Sequence, residues 1–213
     1  KYITEDIHNF IIQCVHGHCN IIVCGETGSG KTEVYIEMID YVLTQGKEAI
    51  VLIPEIALTY QTLKRFYERF GDVVSVMNSK LSQGERYDQF ERAKNGEVKI
   101  MIGPRSALFT PFPNLGIIII DEEHETSFKQ QDPAPRYHAR SLAMMTARHF
   151  PDVRIVMGTA TPSIESYHNA VTGKYRLVQL SERYKGMQLP KIDIVNIADL
   201  QRRKMMYGPF SPM

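Results

Sequence analysis

Short runs of isoleucine and valine recur along the chain, and longer segments with helical periodicity lie between them. The apolar runs cover residues 20–24, 49–53, 73–77, 98–102, 117–120 and 153–157. Each run is almost continuously apolar, which is typical of strands that are covered on both faces of a sheet. The intervening segments are predicted to be helices, and they cover residues 31–44, 58–70, 83–94, 137–149 and 163–171.

Regular alternation of strands and helices predicts an α/β fold, with a mostly parallel sheet and helices on both of its faces. Residues 123–136 form a loop that is long for its context, and long loops in compact domains usually carry function. We expect one domain over residues 1–180. Residues 181–213 are expected to start a linker, within which residues 189–195 could add a strand.

Composition excludes a polycation and an intrinsically disordered chain. Of the 213 residues 43% are hydrophobic and 23% are charged, and the formal net charge is +1 at pH 7, as in ordinary globular proteins. Any contact with nucleic acid therefore needs a local patch of basic residues. No stretch approaches the roughly 18 apolar residues of a membrane span, and no leader is recognised, so we expect a cytoplasmic protein without a membrane partner.

Three cysteines, Cys14, Cys19 and Cys24, form an early cluster that is too small for a disulfide framework. The cluster fits a reducing compartment. A zinc site built from Cys14, His16, His18 and Cys19 is an alternative, but no Cys-x-x-Cys spacing supports it. Buried or half-exposed thiols and loop histidines are the preferred interpretation.

The first apolar run ends in the sequence GETGSGKT, which comprises Gly25, Glu26, Thr27, Gly28, Ser29, Gly30, Lys31 and Thr32. It matches the phosphate-loop pattern Gly-x-x-x-x-Gly-Lys-Thr, in which backbone N–H groups surround a polyphosphate at the start of a helix. We predict that these eight residues bind ATP, that Lys31 contacts its beta and gamma phosphates, and that Thr32 binds Mg²⁺. A glycine turn with an incidental lysine is the alternative. The predicted strand before the loop and the predicted helix after it make that alternative weaker.

A carboxylate pair follows the apolar run at residues 117–120. Asp121 comes at the carboxyl end of this predicted strand, where it can hold Mg²⁺ through water, and Glu122 can orient and deprotonate an attacking water. Acidic residues after a strand are more often merely solvated. With a phosphate loop upstream, Lys31, Asp121 and Glu122 become the candidate catalytic residues.

The sequence Asp121-Glu122-Glu123-His124 resembles the acidic box of superfamily 2 helicases and translocases. Residues 158–163, which read GTATPS, resemble the box that links hydrolysis to strand movement in that superfamily. Its candidate coupling residues are Thr159 and Thr161, whose hydroxyls can hydrogen-bond the acidic box. Residues 25–35, 53–59, 105–109 and 135–140 add four motifs, and together the six resemble the primosomal replication-restart helicases over residues 3–183.

This resemblance implies a RecA-like phosphate-loop NTPase domain, the first motor lobe of an ATP-dependent 3′-to-5′ DNA helicase. It implies single-stranded and forked DNA as substrates, with primosome proteins and single-strand-binding proteins as partners in replication restart. It also implies a second lobe with an arginine finger and a Zn²⁺ site, neither of which has a counterpart among these 213 residues. We expect the lobe alone to hydrolyse ATP weakly, because that arginine stabilises the transition state.

Candidate DNA contacts lie in two places. Thr59, Arg105 and Ser106 match strand-contacting motifs of the resembled family. The long loop and its end carry aromatic and basic residues that can stack on bases and bind phosphates, which are Phe128, Lys129, Arg136, Tyr137 and His138. In the alternative interpretation, Phe128 and Tyr137 pack the loop down and its charges are solvated.

Three other functions remain open at the level of sequence. The chain could belong to another superfamily 2 DNA translocase, to a nucleotide-binding scaffold without motor activity, or to a kinase or small-molecule NTPase. A scaffold needs neither the Glu122 base nor the threonine box, and a kinase should carry an acceptor-binding lid in place of the aromatic loop. ATP hydrolysis measured with and without single-stranded DNA separates these classes.

Overall fold

The computed structural model describes residues 9, 13, 20–26, 28–180 and 196–204. Its strands are β1 (Ile21–Gly25), β2 (Glu48–Leu52), β3 (Val74–Val76), β4 (Ile100–Gly103), β5 (Leu115–Ile120), β6 (Lys129–Gln130), β7 (Tyr137–His138), β8 (Arg154–Thr159) and β9 (Arg176–Leu180). Its α-helices are α1 (Lys31–Thr44), α2 (Tyr60–Phe70), α3 (Gln83–Lys94), α4 (Ala139–His149), α5 (Ile164–Val171) and α6 (Ile197–Arg202). Short 3-10 turns cover Glu55–Ala57, Gly71–Val73, Arg105–Phe109 and Thr126–Phe128.

Seven strands form one sheet in the order β3-β4-β2-β5-β8-β1-β9, and every pairing between them is parallel. The four strands β2, β4, β5 and β8 are almost wholly buried, as their continuous Ile and Val runs predicted. Strands β6 and β7 form a separate antiparallel hairpin. The predicted α/β fold with a mostly parallel sheet is confirmed.

Helices cover both faces of the sheet and divide the core into two clusters. On one face, α1 and α2 pack through residues such as Val34, Ile39 and Phe66. On the other face, α3, α4 and α5 contribute small residues, among them Ala93 and Ala143, so their backbones approach the strands closely. Among the helices of the described ranges, none combines the length and the apolar run that a bilayer crossing needs.

The sequence patterns missed the edge strand β9 and the two short strands β6 and β7, and they placed the starts of two helices two residues too early. Strand β9 lies at the edge of the sheet next to β1 and buries only Val178, so its sequence lacks the continuous apolar run of a central strand. The helix predicted over 137–149 begins at Ala139, because the two residues before it pair with β6. The helix predicted over 58–70 begins at Tyr60, where Thr59 caps it. Such boundary shifts are common.

Two predictions fall on residues outside the described ranges. The possible strand over 189–195 lies there, and so do Cys14, His16, His18 and Cys19 of the alternative zinc site. Within the proposed linker, the structure describes residues 196–204, which include α6. Cys24 lies on β1 as a half-buried free thiol whose pKa is raised by burial and by the nearby charge of Glu123.

Gly158 on β8 lets α1 pack against the sheet. A β-carbon at this position would overlap the hydroxyl of Tyr35, a side chain of α1 that is 1% exposed, and would lie 3.0 Å from Asp121 Oδ1. The clash involves a fully buried ring, which has no room to move away. The residue type at position 158 is therefore set by the packing of α1, a helix that lies far away in the sequence.

We expect Gly158→Ala to destabilise the fold by about 2 kcal/mol, because overpacking a closed core forces neighbours apart. Urea unfolding measures this loss. Gly84→Ala is the matched control, since a β-carbon there meets nothing within 4 Å on exposed α3, and it should stabilise by about 0.5 kcal/mol. Equal unfolding free energies for the two variants would contradict this packing.

Candidate active site

The phosphate-loop segment connects β1 to α1, as its sequence predicted. Gly28 and Gly30 have φ angles of 84° and 93°, which L-amino acids with a side chain rarely adopt. Gly30 is also the N-terminal cap of α1, and because it has no side chain the first N–H groups of the helix receive no side-chain cap. Thr27 lies outside the described residues.

Lys31 is held inside the loop it follows. Its side chain is 9% exposed, and its ammonium donates to the carbonyl oxygens of Gly25 at 2.6 Å and Glu26 at 3.4 Å. Glu122 Oε1 lies 4.0 Å from the same ammonium. Within the described residues, Ser29 Oγ is buried and has no hydrogen-bond partner. A positive charge, an orphaned hydroxyl and uncapped N–H groups in one loop fit a polyphosphate ligand.

Asp121 follows β5 directly and is anchored on both its backbone and its side chain. Its N–H donates to the carbonyl of Leu52 at 2.9 Å, and its Oδ1 accepts from the Tyr35 hydroxyl at 2.8 Å. Burial raises the pKa of Asp121, and the hydrogen bond from Tyr35 opposes that rise. Burial and the Asp121 carboxylate raise the pKa of Tyr35 well above its ordinary value, so its hydroxyl stays a donor. Thr32 and Asp121 both carry side-chain oxygen atoms, the type of ligand that Mg²⁺ prefers, and their role as metal ligands stays a prediction.

Glu122 has a φ of 51°, a left-handed conformation that costs a non-glycine residue about 1–3 kcal/mol. The flanking backbone enforces it, because Glu123 N–H donates to Gly158 O at 3.0 Å and Glu125 N–H donates to Glu122 O at 2.8 Å. The Glu122 carboxylate consequently faces Lys31 and lies 3.8 Å from His124 Nδ1. A strained acid that is aimed at the phosphate loop fits a catalytic base.

The threonine box contacts the acidic box. His124 Nδ1 lies 2.9 Å from Thr159 Oγ1, and the same hydroxyl accepts from the N–H of Thr161 at 3.1 Å. Thr159 is fully buried at the end of β8, whereas Thr161 is exposed. A hydroxyl that bonds both segments ties the loop after β8 to the loop after β5.

Glu123 is a buried carboxylate that the sequence analysis did not single out. It is 1% exposed and accepts from Ser163 N–H at 3.0 Å, from Arg140 Nη1 at 2.6 Å and from Ser166 Oγ at 3.0 Å. Burial alone would raise the pKa of Glu123, but these hydrogen bonds and the charge of Arg140 bring it below the ordinary value. Glu123 is therefore an ionised, fully bonded part of the site.

The hairpin of β6 and β7 carries four of the eight residues that are predicted to contact DNA. Lys129 and Arg136 are exposed, and Tyr137 and His138 are half-buried, around a groove of about 610 Å³. Arg105 anchors the hairpin to the 3-10 turn after β4, since it donates to Ser127 O at 2.8 Å and to Gln130 Oε1 at 3.3 Å. The Tyr137 ring packs edge-on against Phe109 with centroids 5.3 Å apart.

The prediction that Phe128 contacts DNA is wrong. Its side chain is 1% exposed and belongs to the core cluster that includes Ala139 and Ala143, so no face of the ring is open to a base. For this residue the alternative interpretation, in which it packs the loop down, is correct. The packed ring fixes the base of the hairpin, from which Lys129 projects.

Thr59 and Ser106 lie at the ends of other strands of the same sheet edge. The exposed Thr59 hydroxyl accepts from the N–H of Thr62 at 3.3 Å and caps α2. Ser106 is half-buried in the 3-10 turn after β4, next to Arg105. Their roles as DNA contacts stay predictions.

Tyr35, Glu123 and Arg140 are site residues that sequence reasoning missed. Tyr35 lies four residues after Lys31, which is one turn along the helix, and that spacing was the available signal for a side chain facing the same edge. The partners of Glu123 lie 17 to 43 residues away in sequence, and no local pattern reports such contacts.

Comparison with known proteins agrees with this geometry. The model of the DEAD/DEAH box helicase family matches residues 5–170. The replication restart protein PriA of Bacillus subtilis is 48% identical over 182 residues, which are 85% of this chain and 22% of PriA. PriA of Chlamydia pneumoniae is 47% identical over 183 residues, which are 86% of this chain and 24% of PriA. The chain thus spans less than a quarter of these curated relatives.

Solved structures share the fold at low sequence identity. RecG bound to a three-way DNA junction superposes with a TM-score of 0.61 at 20% identity, over 87% of this chain and 25% of RecG. The Hef helicase domain of Pyrococcus furiosus gives a TM-score of 0.59 at 17% identity, over 82% of this chain and 37% of that domain. The resemblance to replication-restart helicases that the motifs indicated is confirmed. The chain belongs to the DEAD/DEAH box helicase family, and its sequence is similar to the helicase lobe of the PriA proteins.

Proposed function

We propose that this chain is the ATP-binding motor lobe of an ATP-dependent DNA helicase that acts in replication restart. Its substrates are single-stranded and forked DNA, its direction of movement is 3′ to 5′, and its partners are primosome and single-strand-binding proteins. The similarity to PriA supports the biological role. Movement and unwinding need the complete protein that carries this chain.

One observation carries the proposal. The Lys31 ammonium and the Glu122 carboxylate lie 4.0 Å apart, with Asp121 beside them and the His124–Thr159 hydrogen bond behind them. Bound Mg²⁺-ATP would supply the phosphoanhydride bond that drives the motor. The charge of Lys31 can stabilise negative charge near the phosphate loop, and Glu122 can hold and deprotonate a water. A binding scaffold needs no such base.

DNA would lie along the edge of the sheet that carries the hairpin. The exposed charges of Lys129 and Arg136 can bind phosphates without reading sequence, and the partly exposed ring of Tyr137 can stack on a base. Arg105 holds the hairpin through Ser127 and Gln130. It would contribute to DNA binding both by its charge and by keeping the conformation of the hairpin. DNA bound in this way would lie one covalent segment away from the acidic box.

In the complete protein, Lys31→Ala should abolish ATP hydrolysis and leave the fold intact, because the ammonium contacts loop carbonyls and not the hydrophobic core. A loss of about 100-fold or more is expected for removing a charge next to the transferred phosphoryl group. Phosphate release measures the rate, and thermal melting verifies folding. Lys64→Ala on the exposed face of α2 is the control. Hydrolysis at an unchanged rate by folded Lys31→Ala would contradict the assignment.

Arg136→Ala should reduce DNA-stimulated hydrolysis in the complete protein by about tenfold, the usual size of an energetic coupling between two sites. The affinity for Mg²⁺-ATP should stay close to normal, because Arg136 is exposed on the hairpin. Hydrolysis is measured with and without single-stranded DNA, and nucleotide affinity by calorimetric titration. Lys94→Ala, at the far end of exposed α3, is the matched charge-removal control. An equal loss of both quantities would show that Arg136 is structural.

ATP hydrolysis by the complete protein, without any substitution, tests the proposed function itself. ATP hydrolysis that rises on addition of single-stranded DNA supports the motor. A rate of ATP hydrolysis that does not change on addition of DNA would indicate an NTPase of another class. Binding of ATP without hydrolysis would indicate a scaffold. The lobe alone should hydrolyse weakly in either condition, since no arginine from a second lobe completes its site.

A further inference from the structure

The proposed function leaves one buried charged cluster without a role. Glu123, Arg140, Ser163 and Ser166 form a closed network of hydrogen bonds directly behind the acidic box. Glu123 and Ser166 are 1% and 2% exposed, whereas the Arg140 side chain is 28% exposed, so the carboxylate of the network lies in the interior and its cation reaches the surface. Buried ion pairs gain little for stability over packed apolar residues, which makes a purely stabilising role a weak explanation.

Glu123 joins the two segments that carry the chemistry. It is the covalent neighbour of Glu122, and its own N–H is fixed on Gly158 O at 3.0 Å. Its Oε1 accepts from the N–H of Ser163, two residues beyond Thr161. Any displacement of this carboxylate therefore moves the backbone beside the proposed base and the segment that ends the threonine box.

Arg140 joins the same carboxylate to the hairpin. It is the second residue of α4, and its N–H donates to His138 Nδ1 at 3.3 Å, which caps the helix at the end of β7. Its Nη1 lies 2.6 Å from Glu123 Oε2 and within 3.2 Å of Ser166 Oγ. The path from the end of the hairpin to Glu123 therefore consists of two residues of chain and one short charged hydrogen bond.

We propose that Glu123 and Arg140 are a positioning pair, which transmits a displacement of the hairpin at residues 129–138 to Glu122 and the threonine box. DNA on the hairpin thereby sets the rate of hydrolysis. The inference rests on the proposed function, and it assigns the coupling to one ion pair. Neither residue touches the nucleotide or the DNA in this proposal.

Arg140→Gln in the complete protein tests the pair. The ratio of hydrolysis rates with and without saturating oligo(dT) should fall by about tenfold, a coupling of ordinary size. The affinity for fluorescein-labelled oligo(dT) should stay close to that of the unchanged protein, because Arg140 does not contact DNA in this proposal, and the ratio compares the two hydrolysis rates within one variant. Arg148→Gln, an exposed charge two turns further along α4, is the matched control and should leave the ratio unchanged.

Two further variants separate coupling from mere stability. Arg140→Lys keeps the positive charge but loses the planar guanidinium group. Its hydrolysis ratio should therefore lie between that of Arg140→Gln and that of the unchanged protein. The double variant Glu123→Gln/Arg140→Gln should lose no more of the hydrolysis ratio than the more affected single variant, because the effects of residues that act as one unit are not additive. An unchanged ratio in Arg140→Gln, or losses that multiply in the double variant, would overturn the proposal.

Should Arg140→Gln not fold, Ser166→Ala replaces it. That change removes one hydroxyl from Glu123 Oε2 and leaves no charge unpaired, so a smaller drop in the same ratio is expected with the melting temperature nearly kept. A normal ratio in Ser166→Ala together with a lowered melting temperature would show that the network only stabilises the fold.

A separate experiment distinguishes a failure of the proposed function from a failure of the positioning pair. If DNA does not stimulate the unchanged protein, the motor assignment fails, and hydrogen exchange then tests the pair alone. Mg²⁺ with a non-hydrolysable ATP analogue should alter exchange at residues 129–138 in the unchanged protein and not in Arg140→Gln, since coupling between sites is reciprocal. The same alteration in both proteins, or none in the unchanged protein, would overturn the pair.

Discussion

Parallel alignment of the strands is the constraint on which the site depends. In a parallel sheet all strands end at one edge, so the loops that follow them meet there however far apart they lie in sequence. The register places Cys24 opposite Thr159 and Ile120 opposite Met157. The phosphate loop, the threonine box and the acidic box therefore leave neighbouring strands at the same level, and their side chains come within hydrogen-bond reach.

Close packing behind this edge keeps the polar groups in place. Gly158 allows the Tyr35 ring to reach Asp121, and the backbone on either side of Glu122 holds it in a left-handed conformation. Glu123 is buried as an ion, and its three partners come from α4, α5 and the loop between β8 and α5. A strained residue and a buried charge both persist because several elements hold them at once.

The sequence predicted what depends on local pattern. Central strands such as β5 are continuously apolar because helices cover both faces, and the phosphate loop has glycines where φ is positive. The half-exposed edge strand β9 has no such run and was missed. Phe128 was assigned to DNA because an aromatic residue in a long loop looks the same whether it faces solvent or the core. Its burial is decided by α4, which a local pattern does not report.

Contacts between distant residues were the other part that sequence reasoning could not supply. Tyr35 meets Asp121 across 86 positions, and Arg140 meets Glu123 across 17, so neither pair forms a spacing motif. The acidic box was correctly placed after a strand, yet its third residue, Glu123, points into the interior while Glu122 faces Lys31. Together, the left-handed backbone of Glu122 and the hydrogen bonds that hold Glu123 give two adjacent acids different surroundings.

The most direct measurement is an amide chemical-shift titration of this chain with Mg²⁺ and a non-hydrolysable ATP analogue. If the phosphate loop binds the polyphosphate, the largest shifts should occur at the backbone N–H groups of residues 28–32, with smaller ones at Asp121 and Glu122. Shifts confined to the hairpin groove at residues 129–138, with residues 28–32 unchanged under saturating nucleotide, would contradict the assignment of the nucleotide site.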